Sequence, residues 1–364
     1  MTKTERKQIF LKAYCHNNLG DDLFVRILCN RYPQADFICT AKENYMGGLK
    51  DIANLKIVED SSFRKTADSV HYRLHGITAA DQKGLKESDA AVILGGSMFI
   101  QNENWQKQLR EYMKFAEYAK RFCIIGANFG PYHDDAYLSA YRELFAEADS
   151  VCFRDQKSYD LFRDIPSVSK APDVVFQYDT DNSFEKENIL SVIPVYTGGR
   201  KQLAPYHDLY TAKTAEVCEE AVRRGLKVYL LAFCKDQKDD LAVQEILSSV
   251  KEEYRDGIET VCYENDRNAI IDIIAKSQYV LATRFHGMIL GWLYGCRTLP
   301  LIYDIKTENY LEDTGYMGKR IWLEDMNELN AEDLFEAPLT DVKEQIEEAE
   351  KQFAGLDAII RDGI

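Results

Sequence analysis

No C-x-x-C pair occurs among the nine cysteines, at 15, 29, 39, 123, 152, 218, 234, 262 and 296. That excludes a zinc knuckle, and an odd, scattered set argues against a disulfide framework. Most of these cysteines lie in apolar runs such as Arg121 to Gly126 and Val228 to Cys234, where the residue serves as small core filling. Also lacking is any apolar run near the roughly 18 residues of a membrane span, and Met1 to Lys7 is polar, unlike a signal peptide. A cytoplasmic protein in a reducing compartment is expected, without a membrane span. Positive charge is in deficit: 45 Lys and Arg stand against 60 Asp and Glu, a formal net charge of -15. The summed field repels polyanions, so nucleic acid is not expected as a partner. A small anion can still be held where a few basic groups and backbone N–H groups converge.

Several signatures of chemistry are missing as well. There is no G-x-G-x-x-G dinucleotide fingerprint, no Walker A lysine and no G-x-S-x-G elbow, which counts against an oxidoreductase, a P-loop enzyme and a serine hydrolase. His71 and His75 have helical i, i+4 spacing, but no H-E-x-x-H and no third ligand accompany them, so no metal is expected. With Arg64 and Arg73 they belong to an acceptor-contacting or simply exposed segment.

What is present is a chain of 364 residues, 46% hydrophobic and 29% charged, long enough for two domains that each bury a core. Short apolar runs alternate with amphipathic stretches from end to end, the pattern of parallel sheets covered by helices. The first half predicts strands at Gln8 to Cys15, Ala35 to Thr40, Lys56 to Val58, Ala90 to Leu94, Phe122 to Gly126 and Ser150 to Arg154, with helices such as Leu23 to Arg31 and Asn104 to Lys120. Phe176 to Asn188 is polar and reads as a linker. A second series follows, with strands at Ile189 to Tyr196, Lys227 to Phe233, Glu259 to Tyr263, Tyr279 to Ala282 and Thr298 to Tyr303. The expected class is α/β: two Rossmann-like doubly wound domains, 1–180 and 189–335, facing a cleft, with a C-terminal helical segment, 336–364, able to cap either. Ligands in such sheets sit beyond the carboxyl ends of strands, so function is sought in the loops that follow them.

The first strand runs into His16-Asn17-Asn18-Leu19-Gly20-Asp21-Asp22, where Gly20 permits a tight turn and Asn17 and Asp21 either cap the helix or address a ligand. Gly95-Gly96-Ser97 let a ligand approach the main chain after the fourth strand, or merely make a packing turn. Ala127-Asn128-Phe129-Gly130-Pro131 is another small-residue loop, with Pro131 fixing the turn. Arg154 stands at a strand end, where its guanidinium either holds a carboxylate or phosphate in a fork or pairs with Asp155 to close the next helix. The sharpest element is Thr283-Arg284-Phe285-His286-Gly287. In an extended segment residues two apart point the same way, so Arg284 and His286 are expected to address one ligand, the first as a cation and the second as a proton carrier. Arg200 and Lys201, after the first strand of the second half, add positive potential or are solvated surface charge.

Taken in order, Asn17 to Asp21, Gly95-Gly96-Ser97, Gly126 to Pro131, Phe153-Arg154-Asp155 with Ser158, Ala171-Pro172-Asp173 and Arg284-Phe285-His286-Gly287 resemble the polysaccharide pyruvyl transferase family. The resemblance spans about Asn17 through Asp304; order and placement carry it, and Ser97 stands where a third glycine is frequent. It implies a glycosyltransferase-B-like architecture and transfer of the pyruvyl group of phosphoenolpyruvate to sugar hydroxyls, as a cyclic ketal, in making surface polysaccharide. The acceptor would be nucleotide-linked, lipid-linked or polymeric, which allows peripheral association with the inner membrane face. No cofactor is implied beyond phosphoenolpyruvate as co-substrate. The residue chemistry is compatible with that reaction: His286 is expected as general acid or as a donor to the departing phosphate, Arg284, Arg154, Gly95, Gly96, Ser97 and Asn128 as the donor site, and Asn17, Gly20 and Asp21 as acceptor contacts or as loop residues shaping the first-domain wall. A nucleotide-sugar glycosyltransferase and a non-catalytic sugar- or anion-binding protein of the same fold are the alternatives. Oligomeric state is not readable.

Overall fold

The computed structural model describes residues 6–361 except 43, 44, 46, 60–63, 182 and 265. Thirteen strands form two parallel sheets among the described residues. The first holds β1 (Gln8–Ala13), β2 (Asp36–Ala41), β3 (Leu55–Glu59), β4 (Ala90–Leu94), β5 (Phe122–Ala127), β6 (Ser150–Phe153) and β7 (Val168–Lys170), in the order β3-β2-β1-β4-β5-β6-β7. The second holds β8 (Glu187–Ile193), β9 (Lys227–Ala232), β10 (Ile258–Cys262), β11 (Ser277–Ala282), β12 (Arg297–Ile302) and β13 (Ile321–Trp322), in the order β10-β9-β8-β11-β12-β13.

The apolar runs form central strands because helices cover both sheet faces and leave no polar face to alternate with. Every residue of β4 and β5 is buried. Strand order reverses between β1 and β4 in one sheet and between β8 and β11 in the other. Such switch points open crevices at the carboxyl ends of the strands. The chain returns to each of these places with a loop singled out from sequence: 16–20 after β1, 95–97 after β4, 196–201 after β8 and 283–287 after β11.

By contacts the chain divides into two units: Met1–Cys15, Asp21–Tyr178 and Gln345–Ile364 in one, His16–Gly20 and Asp179–Glu344 in the other. Each has its own core, the first rich in aromatic rings such as Phe99, Phe129, Tyr141, Phe145 and Phe162, the second more aliphatic. The final residues do not stand apart. Gln352, 1% exposed, accepts from Gly126 N at 2.9 Å and donates to Ala171 O at 2.8 Å and Pro172 O at 3.0 Å. One amide thereby satisfies the Gly126 N–H at the register irregularity within β5 and two carbonyls just beyond β7, which anchors the tail to the first unit.

Several elements depart from the sequence expectation. The helix expected from Leu23 begins at Leu19, and Arg64–His75 and Ala79–Glu87 are helices in a stretch left unassigned. The edge strands β7 and β13 are three and two residues long, too short to show a period. The single helix expected over Asp341 to Ile360 is three pieces: Lys343–Ala349, a 3-10 turn Glu350–Phe353, and Ala354–Arg361.

Candidate functional site

In the first unit the glycine turn and the arginine are one structure. A Cβ on Gly96 would lie 2.4 Å from Arg154 Nη1, so only glycine lets the guanidinium lie against the main chain there. Arg154 is 6% exposed; Nη1 donates to Asp173 Oδ2 at 2.8 Å and Nη2 to Asn128 Oδ1 at 2.7 Å. Asn128 N in turn donates to Gly96 O at 2.7 Å, and Ser97 Oγ lies 3.5 Å from Asn128 Oδ1. Gly95 holds φ at 143°, a value that disfavours any side chain. The structure thus brings Gly95, Gly96, Ser97, Asn128 and Arg154 together. The alternative pairing of Arg154 with Asp155 is corrected: Asp155 caps helix Gln156–Phe162, accepting from Ser158 N at 2.8 Å and Ser158 Oγ at 2.7 Å. Asp173 is the arginine's partner instead.

In the second unit, Arg284 is 7% exposed and forks onto Asp239, whose side chain is 0% exposed. Its Nε donates to Asp239 Oδ2 at 2.8 Å, Nη2 donates to Asp239 Oδ1, and Nη1 donates to Gln237 Oε1 at 2.8 Å. Burial works against the positive charge, but the facing carboxylate outweighs it and raises the guanidinium pKa. Arg200 Nη2 donates to the same Gln237 Oε1 at 2.9 Å, so one amide oxygen couples both arginines. Arg200 is half-buried, lies 5.3 Å from the centre of the Tyr303 ring, and has no carboxylate partner among the described residues. Lys201 is exposed.

His286 does not lie in an extended segment. Arg284 is the N-cap residue, with φ -76° and ψ 125°, and helix Phe285–Leu293 starts directly after it. Residues two apart in a helix diverge, so the expectation that Arg284 and His286 point alike is corrected. The imidazole instead fills the space above Gly20, where a Cβ would come within 1.9 Å of Nδ1. Gly20 is therefore needed for close approach; the left-handed turn of this loop is at Asn17, with φ 48°. The loop is held on the second sheet by an antiparallel bridge between Asn18 and Cys234 and by Leu19 N donating to Phe233 O at 3.1 Å. Asp239 Oδ2 also accepts from Cys234 N at 2.9 Å. Loop 16–20, the end of β9, Asp239, Arg284 and His286 thus form one connected nest. Asp21 lies in the first turn of helix Leu19–Arg31 and is counted with the first unit.

Two further groups steady the second unit's loops. Tyr210, buried and with its phenol pushed up to about 12 by burial, reaches Thr283 Oγ1 at 2.9 Å and accepts from Val195 N at 3.3 Å. His207 Nδ1 lies 2.8 Å from Thr197 Oγ1, and its Nε2 lies 3.2 Å from Glu245 Oε2. Sequence reasoning missed Asp239, Gln237 and Tyr210, and singled out Asp173 only within the Ala171-Pro172-Asp173 motif, without a partner. A buried arginine demands a carboxylate, but nothing local says which of 60 acids supplies it.

His71 and His75 are on helix Arg64–His75 with rings 4.3 Å apart, and His71 Nε2 lies 3.1 Å from Gln82 Oε1. The Arg64 side chain lies outside the described residues. Among the described residues no group of three or more His, Cys, Asp or Glu is placed to hold a metal ion, and no helix is long and apolar enough to cross a membrane.

The family described as Polysaccharide pyruvyl transferase matches residues 18–305. Comparison with curated protein sequences gives no match. Among solved structures the chain is similar to HepE of Anabaena in complex with UDP-glucose, at TM-score 0.58 and 12% identity over 99% of this chain and 98% of that one. It is similar to MnaA of S. aureus with UDP, at TM-score 0.58 and 12% identity over 98% and 95%. It is also similar to UDP-N-acetylglucosamine 2-epimerase of Rickettsia bellii, at TM-score 0.51 and 7% identity over 98% of each chain. These likenesses establish the glycosyltransferase-B-like fold.

Proposed function

Because this chain belongs to the polysaccharide pyruvyl transferase family, we propose that it transfers pyruvyl from phosphoenolpyruvate to two hydroxyls of a sugar, forming a ketal during synthesis of a surface polysaccharide. The observation that carries the reading is the nest in the second unit, where His286, Arg284 and Arg200 are gathered through Gly20, Asp239 and Gln237.

Phosphoenolpyruvate brings a carboxylate and a phosphate on a three-carbon frame. In the proposed reaction its methylene carbon takes one proton, a sugar hydroxyl attacks the neighbouring carbon, the carbon–oxygen bond to phosphate breaks, and a second hydroxyl closes the ring. The two protons lost by the hydroxyls balance the one gained by carbon and the one gained by departing phosphate. His286 is assigned the proton delivery. Arg284 spends three of its roughly five N–H donors on Asp239 and Gln237, which fixes it in one orientation and leaves N–H capacity for the donor. Its charge, however, is matched by Asp239. Arg200 supplies the uncompensated positive charge, and Lys201 adds to the surrounding potential.

Gly95, Gly96, Ser97, Asn128 and Arg154 of the first unit are proposed as donor-binding groups, and Asn17 and Gly20 of the second unit with Asp21 of the first as the acceptor loop. No cofactor is assigned. The test is incubation with phosphoenolpyruvate and a panel of nucleotide-linked, lipid-linked and polymeric sugars, with release of inorganic phosphate and the mass of the product followed together. Phosphate release coupled to a pyruvyl ketal supports the reading; no product across the panel overturns it.

A second reading is favoured by the bound UDP and UDP-glucose of the similar structures: a glycosyltransferase that consumes a nucleotide sugar. Release of nucleoside diphosphate without phosphoenolpyruvate would identify it. Binding of phosphoenolpyruvate with no turnover would identify a non-catalytic member of the fold.

A further inference from the structure

The chain carries a net charge of -15, yet among the described residues that line one groove of the first unit there is no acid. It lies between helices Arg64–His75 and Trp105–Tyr118, encloses about 1060 Å³, and is bordered by Arg73, His75, Lys107, Arg110 and Lys114 together with Tyr72, Leu74 and Met113. Two acids on helix Trp105–Tyr118 are engaged in ion pairs. Glu111 is drawn under the helix by Lys12, at 2.6 Å, and Glu117 pairs with Lys114. Arg73, Lys107 and Arg110 are exposed and make no ion pair with an acid among the described residues; Lys107 lies over the Tyr72 ring at 4.6 Å.

Beside these cations the first helix bares apolar surface. Leu74 is 74% exposed and Val70 55% exposed, and the two are four residues apart on one helix face. Neither side chain is buried among the described residues, so core packing does not account for their place beside Arg73. The combination of an apolar ridge and a cationic flank is the chemistry of a helix that lies in the headgroup layer of an anionic bilayer, with apolar side chains at the acyl boundary and basic ones among the phosphates. A free small anion would use the cations but not the ridge. An apolar peptide would use the ridge but not the charges.

We propose that this groove and helix Arg64–His75 form a docking surface for an anionic phospholipid membrane. Contact is peripheral and reversible, because a few apolar side chains and three to five cations fall far short of the insertion energy of a spanning helix. The surface lies wholly in the first unit and does not depend on which reaction the protein catalyses.

The experiment is flotation of the full-length protein with vesicles of phosphatidylglycerol and phosphatidylcholine in equal parts, and with phosphatidylcholine alone. The protein should float with the anionic vesicles, remain behind with the neutral ones, and be released by raised salt. Arg73→Gln and Arg110→Gln should each lower partitioning about fivefold, the equivalent of ~1 kcal/mol per basic residue near such a surface. Leu74→Asp should lower it at least severalfold, while Lys343→Gln, on an exposed lysine of the second unit, should leave it unchanged. These side chains are exposed, so circular dichroism and melting temperature should match the parent and separate lost docking from lost folding. Equal binding to neutral vesicles, no binding at low salt, or wild-type partitioning of all three variants would overturn the proposal. So would displacement by inorganic phosphate at matched ionic strength, which would mark the groove as a free-phosphate site.

Discussion

Arg154 in the first unit and Arg284 in the second are built alike. Each stands just past a strand, is buried, donates to a fully buried aspartate, through one N–H in Arg154 and a two-point fork in Arg284, and gives another N–H to a side-chain amide, Asn128 in one case and Gln237 in the other. The difference lies in what surrounds the pair. Arg154 is packed flat against Gly96 and serves the glycine turn. Arg284 shares its amide with Arg200, a guanidinium that faces no acid among the described residues, and is joined through loop 16–20 to the His286 ring. One device is used twice to fix a strand end, and only in the second unit is it wired to an uncompensated charge and a proton carrier.

The largest effect that sharpens this contrast is on turnover. His286→Ala should lower kcat roughly 100-fold to 10,000-fold with an unchanged melting temperature, measured by phosphate release from phosphoenolpyruvate. Wild-type turnover in that variant would detach the second unit from the chemistry. Gly20→Ala drives a methyl group into the same ring and should cost activity in the same direction.

Next come the paired aspartates. Asp173→Ala and Asp239→Ala each strand a buried guanidinium and should destabilise by about 3–5 kcal/mol in chemical denaturation. If the two sites differ as described, Asp239→Ala should also weaken donor binding measured by calorimetry. Equal donor affinity in the Asp239 variant and the parent would reduce Arg284 to a purely structural role. Arg284→Ala and Arg154→Ala leave the aspartate stranded instead, so their loss of donor binding must be read against lost stability.

Arg200→Ala should do the reverse: donor affinity falls by about 1.5–3 kcal/mol, the worth of a hydrogen bond to a charged group, while stability moves by about 0.5 kcal/mol or less. A large stability loss with intact affinity would give Arg200 a purely structural role.

The smallest effect concerns acid. Asp304 caps helix Ile305–Asp313; burial works to raise its pKa, but Lys306 and the bonds from Thr307 outweigh burial and hold it below the usual value. Because the folded pKa is depressed, its contribution is complete above the unfolded value of about 3.9 and is lost as pH falls through the lower folded value. Lys306→Ala should therefore shift the acid-unfolding midpoint upward, by a fraction of a pH unit.

Much of the fold was legible because central strands of covered parallel sheets are written as unbroken apolar runs. Ala90–Leu94 and Phe122–Ala127 were placed to within a residue. The edge strands Val168–Lys170 and Ile321–Trp322 were not, since two or three residues carry no period. Legibility of the site followed the same division. Arg154, Arg284 and His286 stand out because charge at the end of an apolar run is conspicuous. Asp239 and Gln237 do not, because an acid or amide in a loop looks like any other solvated residue until a buried arginine meets it.

The sequence by itself determined the two doubly wound sheets and the loops where chemistry collects, because apolar periodicity and glycine placement act locally along the chain. Only the tertiary structure decided that Gly20 makes room for a histidine more than 260 residues away, that Gln352 ties the tail to β5 and β7, and that each arginine is claimed by a particular aspartate. Those choices are set by which groups are buried together, where an unpaired charge or a surplus methyl is too costly to keep. No stretch of chain read alone contains that information.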